Sequence, residues 1–123
     1  MSLPCQSTLF DRQAVLDRML GDVELLVEVV EIFRGTSPAR MQEIRAAVTN
    51  GDGEQLERSA HALKSSVGNF SANRAVDAAF QLEALGRARR PHDAHDALEV
   101  LEQEMDQLQS ALDEMLGSLT GRT

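Results

Sequence analysis

His61, Lys64, Ser65 and Gly68 stand at i, i+3, i+4 and i+7. A helix through them therefore puts an imidazole, a cation and two small residues on one face. A surface chosen only for solubility carries long charged side chains at such positions. Gly68 costs about 1 kcal/mol against alanine inside a helix and so calls for a reason. Clearance above the imidazole, letting another molecule reach it, is one; an ordinary packing contact is the other. Leu56, Ala60, Leu63, Val67 and Phe70 recur in alternating steps of four and three and form the apolar stripe of the same helix.

A carboxylate can be placed beside that imidazole by register. If the helices on either side of Ser71 pair as an antiparallel hairpin, residue 82 or 83 lies level with His61, and residue 83 is Glu. Glu83 could then accept a hydrogen bond from Nδ1–H of His61, fix the tautomer and leave the Nε2 lone pair free as a nucleophile. Lys64, one turn on, can pair with an anionic group attached at Nε2. Arg87, one turn beyond Glu83, either adds positive potential there or is a surface charge. A nucleophile, an orienting carboxylate and a cation beside a cleared surface suit phosphoryl acceptance, which needs positioning and charge neutralisation above all. The chain shows no Gly-rich phosphate loop and no acidic cluster placed to hold Mg²⁺. The reading is a carrier without its own nucleotide site or cofactor, rather than a kinase.

Two other patterns have plainer readings. His92 and His95 have a spacing that could begin a metal site, but no further Cys or His completes it, so no metal is expected. They suit the exposed start of a helix, where Asp93 and Asp96 also complement the dipole. Leu98, Leu101, Met105, Leu108, Leu112 and Met115 form either a coiled-coil seam or the core face of a bundle helix.

Composition narrows the class. The 123 residues suit one domain, with 42% hydrophobic and 26% charged residues. A net charge of −8, no Trp or Tyr and only four Phe disfavour nucleic acid and anionic membranes as partners. The longest apolar run, Leu25 to Phe33, is broken by Glu28 and Glu31, so no membrane span is expected. The lone Cys5 suits a reducing compartment, and the start lacks a signal-peptide pattern, so a cytoplasmic location is expected.

The elements that must position these residues are all helical. Asp11 can cap a short first helix carrying Val15, Leu16, Met19 and Leu20, with Gly21 at its end. Asp22 caps a second helix to about Arg34, and Thr36-Ser37-Pro38 predicts a break or kink, with Ser37 as cap. Met41, Ile44 and Val48 continue the apolar face to Asn50, and Asn50-Gly51-Asp52-Gly53 is a turn. The histidine helix spans roughly 54 to 70. Ser71 caps the next, 72 to 88, with Ala75, Ala79, Leu82 and Leu85 on its small or apolar face. Pro91 ends that helix region and starts the last helix, about 92 to 116. The expected fold is an all-α, antiparallel up-and-down four-helix bundle with a short additional N-terminal helix, over 11–117 between tails 1–10 and 118–123.

The run from His61 to Ala72, His-Ala-Leu-Lys-Ser-Ser-Val-Gly-Asn-Phe-Ser-Ala, resembles the histidine-containing phosphotransfer (HPt) family, whose pattern is H-x-L-K-G followed by small residues and a G-A pair. The likeness extends from about Asp11 to Leu116 and includes the Leu82-Glu83 pair. It implies a bundle whose exposed histidine shuttles phosphoryl groups between aspartates of receiver domains, in response regulators or hybrid sensor kinases, with Mg²⁺ on the receiver. By that analogy His61 is the phospho-acceptor, Lys64 steadies the phosphoryl group and Glu83 holds the ring. Ser65 and Gly68 would lie in the docking surface with Leu9, Phe10 or Leu16 from the first helix. Ser65 stands where the family has glycine and still permits close approach. Ser71 replaces the glycine of the G-A pair, which argues against a left-handed helix end there. The expected state is a monomer. Two competing readings are a helical dimerisation module built on residues 98 to 115 and a module phosphorylated directly by a kinase domain.

Overall fold

The computed structural model describes residues 12–120, with the side chains of 13–119. Five α-helices follow in order: α1 (Arg12–Arg18), α2 (Val23–Asn50), α3 (Gly53–Gly68), α4 (Asn73–Arg87) and α5 (His95–Thr120). A short 3-10 turn, Pro91–Asp93, joins the last two. There is no strand among the described residues. Helices α2 to α5 pack each on the next, and α5 closes back on α2, as an up-and-down bundle does. No helix among the described residues is long and apolar enough to cross a membrane.

The caps show why the helices begin where they do. The Asp22 side chain accepts from the Leu25 N–H at 3.1 Å and Asp52 from the Gln55 N–H at 3.0 Å, each satisfying an otherwise orphaned donor. Gly21 and Gly51 adopt left-handed φ values of 75° and 70° at the ends of α1 and α2. Gly51 N–H and Asp52 N–H reach back to the carbonyls of Val48 and Ala47. Asp11, the cap expected for α1, lies outside the described residues.

Three boundary expectations are corrected. α2 runs unbroken through Pro38, and Ser37 is a buried residue inside the helix rather than a cap. Pro38 lies on the exposed side, as does Arg34, whose carbonyl would otherwise receive the missing N–H, so water can serve it instead. Ser71 does not cap α4: the N-cap position is Ala72, with no side-chain cap, and Ser71 has φ 53°. The left-handed residue between α3 and α4 is thus present without its glycine. The last helix begins at His95 rather than 92, because Pro91 starts the 3-10 turn and the buried Ala94 leads into α5.

The core is one continuous cluster, with Leu26, Ile44, Leu56, Leu63, Phe70, Leu82 and Leu108 sealed from solvent. Phe33 of α2 meets Phe70 edge to face, with ring centroids 5.1 Å apart, tying α2 to the chain just after α3. Leu101, Met105, Leu108, Leu112 and Met115 are all buried, with Leu98 packed at the margin. The stripe on α5 is therefore spent on the core, and the dimerisation reading loses the feature that motivated it. Arg45–Glu102 (2.6 Å) and Arg34–Asp113 link α2 to α5 at the surface.

Candidate functional site

His61 projects from the middle of α3 with 61% of its side chain exposed. Its position follows from the stripe: Ala60 and Leu63 face the core, so residue 61 turns outward. Across the hairpin on α4, Leu82 and Glu83 are both buried. Glu83 Oε2 lies 2.8 Å from His61 Nδ1. The same oxygen accepts from Arg87 Nη2 at 3.0 Å. Lys64 Nζ stands 2.7 Å from the other oxygen, Oε1. That contact pairs the ammonium with a buried carboxylate oxygen, a charge-assisted interaction across the two helices.

Burial pushes the Glu83 carboxyl up, but Lys64 and His61 beside it outweigh burial and hold it below its ordinary value of 4.5. Glu83 is therefore an anion near neutrality and can only accept. In the neutral ring the proton must then sit on Nδ1, and Nε2 is left as the unprotonated nitrogen on the exposed imidazole. An ionised, buried carboxylate thus selects the tautomer of a half-exposed base.

A further layer extends from Arg87, whose Nε donates to Glu57 Oε2 at 3.1 Å, while Arg89 Nη1 reaches Glu57 Oε1 at 3.4 Å. Glu57, Arg58, His61, Glu83 and Arg87 line one shallow groove. Lys64 also lies over the Phe80 ring, 5.3 Å from its centroid, with Phe80 45% exposed. Glu57, Arg89 and Phe80 did not figure in the sequence reading. Glu57 precedes His61 by one turn, a signal that the same spacing argument carries.

Of the expected site residues, the structure brings together His61, Lys64, Glu83 and Arg87. Lys64 is engaged with Glu83 and Phe80 rather than reaching into solvent. Ser65 is exposed and Gly68 partly so, on the same helix. A Cβ added at Gly68 would meet nothing within 4 Å, so packing inside this chain does not require the glycine. Leu16 is partly buried against the core and does not line the groove. Leu9 and Phe10 lie outside the described residues. The ring of His92, away from this group, packs within 3.2 Å of where a Gly51 Cβ would stand. Among the described residues no three His, Cys, Asp or Glu side chains cluster to hold a metal.

No curated protein and no solved structure gives a significant match to the chain. The family model of the Hpt domain matches residues 28–111, which span most of α2 through most of α5 and hold every side chain of the groove. On that match the chain belongs to the Hpt domain family, whose members act in histidine phosphotransfer within two-component phosphorelays.

Proposed function

We propose that His61 reversibly accepts a phosphoryl group from the aspartate of a receiver domain and passes it to the aspartate of another. The observation that carries this reading is the 2.8 Å contact between Nδ1 of the exposed His61 and the buried, ionised Glu83. In the forward step the Nε2 lone pair attacks phosphorus of the aspartyl phosphate. The P–O bond to the aspartate breaks, and the carboxylate leaves with the bonding pair. The ring keeps its Nδ1 proton and becomes cationic, and Glu83 stabilises the charge as it develops. Return to an acceptor aspartate reverses these movements.

Lys64 supplies the cation for the incoming phosphoryl oxygens, moving from Oε1 of Glu83 as they arrive. Ser65 and Gly68 keep the approach low enough for a receiver to bring its aspartate in line. The receiver contributes Mg²⁺, and this chain acts as a carrier without a nucleotide site of its own.

Incubation with a phosphorylated receiver and Mg²⁺ is expected to give an acid-labile label on the chain, absent from His61→Gln. A label that persists in that variant would assign the phosphoryl group to another residue and overturn the proposal.

A further inference from the structure

The backbones of α3 and α4 pass close to one another near the histidine, at a glycine. A Cβ built on Gly86 would stand 2.5 Å from Glu57 N, 2.8 Å from Gly53 O and 2.9 Å from Glu57 Cα. All three are backbone atoms, so no side chain can swing aside to make room. Ordinary contact for such a carbon begins at 3.4 Å. The two helices would have to separate by about 1 Å at that point to admit one methyl group.

The contact lies in the plane of the site. Glu57 is one turn before His61 on α3, and Gly86 is three residues after Glu83 on α4. At 1.5 Å of rise per residue, His61 and Glu83 lie only about 5 to 6 Å along the helices from the pinch. A separation of about 1 Å there would stretch the 2.8 Å Nδ1···Oε2 contact to or beyond hydrogen-bond range. Glu83 is buried on α4 and paired with Arg87 one turn along the same helix, so it stays with α4 as the ring moves away.

We infer that Gly86 is a positioning residue for His61. By letting the two backbones touch, it sets the depth at which the Glu83 carboxylate meets the imidazole and so selects the reactive tautomer. The inference rests on the reading of His61 as the phospho-acceptor, but its geometric part can be read without any transfer.

The test compares the intact chain with Gly86→Ala and with Gly35→Ala, a control in α2 where an added Cβ meets nothing within 4 Å. Helix content is followed by circular dichroism, the His61 tautomer by ¹⁵N NMR of the imidazole, and phosphoryl uptake from phosphoramidate, which needs no partner. In a folded Gly86→Ala, the Nδ1–H fraction should fall and uptake at His61 should slow by about 10- to 100-fold. Gly35→Ala should match the parent in both. Parental tautomer and parental uptake in folded Gly86→Ala would overturn the inference, as would slower uptake with the tautomer unmoved.

Should Gly86→Ala fail to fold, Gly53→Ala decides. Its Cβ would meet Arg89 Cδ at 2.9 Å and Gly86 O at 3.0 Å, a milder wedge between the same helices. It should shift the tautomer in the same direction by less, and no shift would overturn the inference. If the parent takes up no phosphoryl group at His61, the carrier reading fails, while the NMR comparison still decides what Gly86 does.

Discussion

His61 and Glu83 stand 22 positions apart along the chain and 2.8 Å apart in space. The carboxylate is sealed inside the hairpin while the ring it holds is mostly in solvent. That asymmetry gives a base that is accessible yet oriented. It also makes Glu83 the point on which His61, Lys64 and Arg87 converge.

Glu83→Gln tests the charge separately from the shape. The amide is nearly isosteric, but it removes the counter-charge of Lys64 and one of the two that Arg87 has, and can turn its NH₂ toward Nδ1, favouring the wrong tautomer. Initial rates of phosphoryl uptake should fall by about 10- to 100-fold with helix content unchanged. Parental rates in a folded Gln variant would deny the carboxylate a part in the reaction.

Gly68→Gln tests clearance. Nothing in the chain stands within 4 Å of a Cβ there, so the fold should accept the longer side chain, and helix propensity should rise slightly. Binding to a cognate receiver should nonetheless weaken by about tenfold or more, since a bulky group then stands beside His61. Calorimetric titration of both proteins with the same receiver measures this directly.

Acid should remove one identifiable part of the stability. Glu83 is held below its ordinary value of 4.5 in the folded chain by Lys64 and His61, against burial. Its contribution is thus fully present above 4.5 and is lost as pH falls through the lowered folded value, because the unfolded chain takes up the proton first. Urea denaturation of the parent and Glu83→Gln from about pH 7, where the contribution is full, to about pH 3, below the ordinary glutamate value, checks the sign. The stability advantage of the parent should shrink toward the acid end, and an advantage that grows would contradict the assigned direction.

Ser71 carries φ 53° between α3 and α4, a conformation that costs a residue with a Cβ about 1 to 2 kcal/mol. Ser71→Gly relieves that strain but gives the unfolded chain more freedom, worth about 0.4 to 1 kcal/mol in the other direction. The net expectation is a gain of about 0.5 to 1 kcal/mol in stability, read as a higher denaturation midpoint at unchanged slope.

The bundle and the heart of the site were legible because both depend on periodicity. A 3.6-residue repeat sorts Leu63 from His61, and a hairpin register carries the argument from His61 to Glu83. What stayed hidden depends on surroundings that periodicity does not encode. Pro38 reads as a helix breaker, but on an exposed face its cost is modest and the packing of Phe33, Met41 and Ile44 carries α2 past it. Ser71 reads as a cap, yet the short link between α3 and α4 imposes a left-handed residue whatever its type. Gly86 reads as an ordinary helix position, and only the closeness of a second backbone shows what its missing side chain allows.

One half-exposed ring on a single helix face admits one visitor at a time. A donor and a recipient therefore cannot share it, and any relay through this chain must run in two separate encounters with a departure between them. The charged form has to survive that interval alone in water. Its lifetime, as much as its speed of loading, then sets how far a signal can travel before it decays.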